Sequence, residues 1–87
     1  MVVWKWSINL EDIRHENAIL MPEGARVLAV ANQYEALAIW ALAEPEAPRR
    51  SRTFLVVGTG HLISSGGIYV GTAQFREGAL VLHVFET

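Results

Sequence analysis

The sequence contains no cysteine. Disulfides and thiolate metal sites are excluded, and a reducing compartment suits such a chain. Charge is scarce as well: Asp, Glu, Lys and Arg make up 18% of the 87 residues and leave a formal net charge of −2. With no overall positive field to gather phosphates, generic nucleic-acid binding is disfavoured. Long apolar runs are missing too. The opening stretch MVVWKWSINLED is broken by Lys5, Ser7 and Asn9 before it reaches signal-peptide length, and nothing approaches the roughly 20 residues of a membrane span. The expectation is a soluble, cytoplasmic protein with no membrane attachment.

Catalytic and metal-binding patterns are equally thin. His15, His61 and His83 stand at no ligand spacing, so no metal is expected, and no cofactor. Phosphoesterases with paired histidines place Ser or Thr two residues after each, whereas here Ile63 follows His61 and Phe85 follows His83. The carboxylates Glu11, Asp12, Glu16, Glu35, Glu44 and Glu46 form no recognisable pair. No set of acid, base and nucleophile is visible, and the chain is read as a non-enzyme.

What the chain has in quantity is apolar surface, at 52% hydrophobic residues. A domain of this size buries only about 60% of the surface its unfolded chain exposes, so more apolar area is available than one core can hide. A second copy of the same chain is the simplest cover, and a homo-oligomer is expected.

Alternation of Val2, Trp4 and Trp6 with Val3, Lys5 and Ser7 reads as a strand with both indoles on one face. A polar connection, NLEDIRHEN, leads to a short strand at Ala18 to Met21, and MPEG then supplies a turn with Pro22 and Gly24 in favourable places. The run from Val27 to Ala31 is apolar throughout and reads as covered on both faces. Residues 34 to 43, YEALAIWALA, fit either strand or helix; their length between Asn32-Gln33 and Pro45 favours strand. EPEAPRRSR reads as a loop holding the one basic cluster, and TFLVV as a short strand ending at Gly58. IYVGTAQF and ALVLHVFE flank the turn residues REG, as a hairpin requires. Residues 1–87 are thus one all-β domain, a small antiparallel sandwich or barrel of about six to seven short strands.

Two glycine-threonine pairs, Gly58-Thr59 and Gly71-Thr72, raise the question of a phosphate cradle. GTGHLI fails as a dinucleotide fingerprint because position 63 is Ile63, and no lysine follows as a Walker loop requires. An anion-binding nest of backbone N–H groups at Gly58, Thr59, Gly60 and His61, with hydroxyls from Thr59 and Ser64 or Ser65, remains open beside a plain turn. A hairpin centred on Glu77-Gly78 places Thr72 opposite His83, which gives that imidazole a structural hydrogen bond. Arg49, Arg50 and Arg52 invite a phosphate, but a five-residue strand puts Arg52 roughly 17 Å from Gly58. They reach the glycine turn only across a subunit interface. Trp4, Trp6 and Trp40 are either core or base-stacking groups.

The stretches MPEGARVLAV, IWALAEPEAP, FLVVGTGH, YVGTAQF and GALVLHVFE together resemble a family of short proteins encoded by bacteriophages and prophages. The likeness runs from Trp4 or Lys5 to Glu86, and departs from it at Ser64-Ser65-Gly66-Gly67 and in the alanine-rich segment Ala36 to Ala43. The resemblance implies a phage accessory protein and no particular chemistry. Such proteins commonly act by stoichiometric binding, which leads to a homo-oligomeric counter-defence protein that sequesters a small anionic ligand, a nucleotide immune signal, between subunits. The residues expected to hold phosphate and base are Gly58, Thr59, Gly60, His61 and Ser64, with Arg49, Arg52 and Trp40 from a neighbouring subunit. The alternative is a module that binds and inhibits a host or virion protein through a sheet edge or an apolar face.

Overall fold

A computed structural model describes residues 1–63 and 66–87. Seven strands follow one another: β1 (Val2–Asn9), β2 (Glu16–Pro22), β3 (Arg26–Gln33), β4 (Ala36–Ala43), β5 (Arg49–Gly58), β6 (Ile68–Phe75) and β7 (Leu80–Glu86), with a single 3-10 turn at Leu10–Asp12 and a turn of positive-φ residues at Arg76–Gly78. All pairings are antiparallel. They form a three-stranded sheet in the order β1-β4-β3 and a four-stranded sheet in the order β2-β5-β7-β6. The fold is all-β, as the alternation and turn spacing predict.

The core lies between the sheets. From β4 it takes Leu37, Ile39, Ala41 and Ala43, and from the facing sheet Met21, Phe54, Val56, Ala73, Phe75 and Val84. Phe54 and Phe75 are wholly buried, and each such side chain contributes about 1.5–3 kcal/mol by leaving water. Trp4 and Trp6 pack edge to face, their ring centroids 6.2 Å apart, and Trp6 lies against the core. Trp40 sits one residue out of phase with Ile39 and Ala41 and stays half-buried on the outer face.

Two sequence expectations are corrected. Arg49, Arg50 and Arg52 lie in β5 rather than in a loop, because β2 pairs with the strand as far back as Arg49, opposite Pro22. The apolar run in β3 is covered on one face only; a bulge at Leu28 breaks the register, and that side chain is 48% exposed. Residues 34 to 43 form the favoured strand, Ala36–Ala43, entered through a turn in which Tyr34 and Glu35 adopt positive φ, at 53° and 59°. The side chain of Asn32 supports this turn by accepting a hydrogen bond from the Glu35 backbone N–H at 2.9 Å.

One side of the sandwich is closed. A Cβ at Gly71 in β6 would stand 2.9 Å from Val30 Cβ in β3, so only glycine permits that approach. Nearby, Asn32 Nδ2 donates to the Gln74 carbonyl across the two sheets at 2.9 Å. On the opposite side β1 and β2 are the outermost strands of their sheets.

Candidate functional site

Among the described residues Asn17 is the one buried polar side chain, 7% exposed, and both its amide oxygen and nitrogen are hydrogen-bonded. Its Oδ1 accepts from the Arg14 N–H at 2.9 Å, and its Nδ2 donates to the Arg14 carbonyl at 2.8 Å and to the Phe54 carbonyl at 3.2 Å. One residue on, the His15 carbonyl accepts from the Val56 N–H at 2.9 Å. A short polar connection is thereby fixed against β5. Its register presents Arg14 and His15 to solvent beside the end of that strand.

At that end β5 runs into the turn Gly58–His61, closed by a hydrogen bond from the His61 N–H to the Gly58 carbonyl at 3.1 Å. Gly60 takes φ 87°, a conformation that costs glycine little. Gly58 leaves room for the His61 ring, which lies 3.1 Å from where a Cβ would be. The two segments border an open cleft of about 450 Å³ whose rim carries Arg14, His15 and His61 and whose floor includes Ile13, Val56 and Leu82. Among the described residues the Arg14 guanidinium has no hydrogen bond or ion pair.

The two glycine-threonine pairs converge on one ring. Thr59 Oγ1 lies 2.7 Å from His83 Nε2, and Thr72 Oγ1 lies 3.0 Å from Nδ1. Tyr69 extends the chain through its hydroxyl, 2.6 Å from Thr72 Oγ1. The Thr72 contact follows from the β6–β7 register, in which Thr72 is opposite His83. The Thr59 contact ties the glycine turn to β7, and it spends on His83 the hydroxyl that sequence reasoning offers to a ligand.

Of the remaining expected residues, Arg52 is engaged elsewhere. Its Nε lies 2.6 Å from Glu86 Oε2 and its Nη2 2.9 Å from Oε1, while Nη1 donates to the Ala25 carbonyl. Hydrogen bonding to Glu86 raises the arginine pKa, partial burial opposes the rise, and the carboxylate charge adds to it. Arg49 donates to the Pro45 and Ala47 carbonyls and stacks over Trp4, 5.3 Å from the ring centroid. Both arginines occupy the half of β5 away from Gly58, and Trp40 belongs to the other sheet. Within one chain, then, Gly58, Thr59, Gly60 and His61 share a turn, while Arg49, Arg52 and Trp40 do not reach it. Ser64 lies outside the described residues.

Sequence reasoning missed Arg14 and His15, which read only as part of a polar connection. No local pattern marks them; what places them is Asn17 bonding across to Phe54, a pairing between residues 37 apart in the chain. Among the described residues no three His, Asp or Glu side chains are grouped to hold a metal ion. Among the described residues no helix is long and apolar enough to cross a membrane.

A family model for a domain of unknown function, DUF7352, matches residues 1–87, and the chain belongs to that family. No curated protein and no solved structure matches it.

Proposed function

We propose that this DUF7352 protein is a non-catalytic module that binds and sequesters a small anionic ligand of nucleotide type. The ligand lies in the cleft between Ile13–His15 and the Gly58–His61 turn. The observation that carries this reading is the convergence of Arg14, His15 and His61 on one open cleft with an apolar floor. A guanidinium and two imidazoles offer directed donors to phosphate oxygens, and the aliphatic floor suits the flat face of a base. Arg14 takes the role that sequence reasoning gives Arg49 and Arg52. The resemblance to phage accessory proteins makes the setting counter-defence, with a nucleotide immune signal as the ligand.

Native mass spectrometry of protein purified from bacterial cells tests this. A bound compound of nucleotide mass, ultraviolet-absorbing and released on unfolding, is expected. Arg14→Ala and His61→Ala lose it, while Arg52→Ala keeps it. A bare protein that also fails to bind added nucleoside diphosphates, or an Arg14→Ala variant that binds as well as the parent, overturns the reading.

A protein-binding module is the second reading, favoured by Leu62, Ile63, Ile68 and Tyr69, which are 95%, 40%, 78% and 57% exposed. Such apolar exposure marks docking surfaces. A stable complex isolated from host lysate, lost on Leu62→Ser with Ile68→Ser, is the expected outcome there.

A further inference from the structure

The two sides of the sandwich are built differently. On the closed side both outer strands carry bulges: the register slips between Val27 and Ala29 in β3, and between Tyr69 and Gly71 in β6. On the open side β1 pairs with β4 without a break from Val2 to Asn9, and β2 with β5 from Glu16 to Pro22. Both are regular strands with one edge unpaired by a neighbouring strand. Natural sheets blunt such edges with bulges, prolines or charges. In β1 the one charged side chain, Lys5, is drawn onto the outer face, where its Nζ donates to Gln33 Oε1 at 2.6 Å. In β2 Glu16 and Pro22 stand at the ends and leave the middle uncharged. A cleft of about 480 Å³ separates the two edges, lined by Trp6, Ser7 and Ile8 from β1 and Ala18, Ile19 and Leu20 from β2.

We propose that these edges pair with the same edges of a second copy of the chain, in a side-by-side dimer whose two-fold axis runs perpendicular to the sheets. β1 then meets β1 antiparallel and β2 meets β2 antiparallel. The three-stranded sheet doubles to six strands and the four-stranded sheet to eight. The choice of occupant follows from the number of edges. An extended peptide offers one backbone and leaves the second edge bare, whereas a second copy brings two edges at the separation already set by this core. The symmetry also matches faces. Residues opposite each other in an antiparallel pair point the same way, so the inner side chain of Trp6, packed against the core, continues that core across the junction. Val3 and Leu20, 56% and 64% exposed beside the seam, gain cover at the same time. None of this depends on the ligand cleft, although Arg14 borders both clefts, so pairing brings the two ligand sites near one another.

Sedimentation velocity across a wide concentration range, with amide hydrogen exchange read residue by residue, tests the proposal. Edge pairing gives a dimer in which consecutive β1 amides from Val3 to Ile8 are protected; a free edge protects alternate amides only. The double variant Ser7→Lys with Leu20→Lys, both at exposed positions, adds positive charge to both strands of each seam and weakens the dimer at least about tenfold without altering the circular dichroism. A monomer up to millimolar concentration overturns the proposal. So does a dimer whose β1 amides keep the alternate pattern, because its interface lies on another face.

Discussion

Thr59 and Thr72 hold opposite nitrogens of the same imidazole, at 2.7 and 3.0 Å, although 13 residues separate them. Each threonine hydroxyl can donate or accept, so either hydroxyl can match whichever role its ring nitrogen takes. Tyr69 continues the series in either sense.

That arrangement makes the two threonines act together. Thr59→Val and Thr72→Val each lower stability by about 1 kcal/mol, seen as a Tm decrease of about 4–8 °C for a domain of this size. The double variant loses less than the sum, because the first change already frees His83. Strictly additive losses in thermal unfolding would show that the two contacts are independent.

Gly71→Ala pushes a methyl to within 2.9 Å of Val30 and destabilises the protein by about 1–3 kcal/mol. Gly66→Ala, with nothing within 4 Å, is the neutral control. Denaturant midpoints of the two variants compared with the parent decide the matter, and equal midpoints sink the close-approach argument.

How much of this was legible in the sequence varies with the range of the interaction. The Thr72–His83 pair follows from hairpin counting around Glu77-Gly78, since in an antiparallel ladder one turn fixes the pairs as far as the first bulge, here between Tyr69 and Gly71. Trp4 and Trp6 on one face follow from alternation. Tyr34 and Glu35 at positive φ were not legible, because a turn of that kind usually announces itself with glycine or asparagine at those two positions. The arginines misled for a related reason: prolines at 45 and 48 suggested a loop through Arg52, but the ladder with β2 resumes one residue after Pro48. Of the site, the turn itself was visible. Its partners Arg14 and His15 were not, since their placement depends on a buried amide bonding across the fold.

Removing that amide tests the dependence. Asn17→Ala leaves the Phe54 carbonyl and the Arg14 backbone without partners and costs about 1–3 kcal/mol. It also releases the segment carrying Arg14, so ligand affinity falls alongside stability. Titration calorimetry with a nucleoside diphosphate, below the unfolding temperature, separates the effects; unchanged affinity would mean that Arg14 plays no part.

Arg52 gives the converse result. Arg52→Lys loses the two-pronged contact with Glu86 and lowers stability by about 1 kcal/mol, with ligand binding intact. Because pairing raises the arginine pKa, its contribution is complete below the unfolded value and fades only as pH climbs through the folded one. The stability difference between parent and Arg52→Lys is therefore constant through neutral and mildly alkaline pH. A difference that shrinks between pH 7 and pH 9, read from denaturant titrations, would place the pair's effect elsewhere.

The contact of Gly71 with Val30 also bears on how the folded protein breathes. It binds the two sheets along one spine, as the pages of a book are bound, and leaves β1 and β2 as the fore-edge. Partial opening in the isolated chain starts at that fore-edge, while the spine holds until the whole domain unfolds.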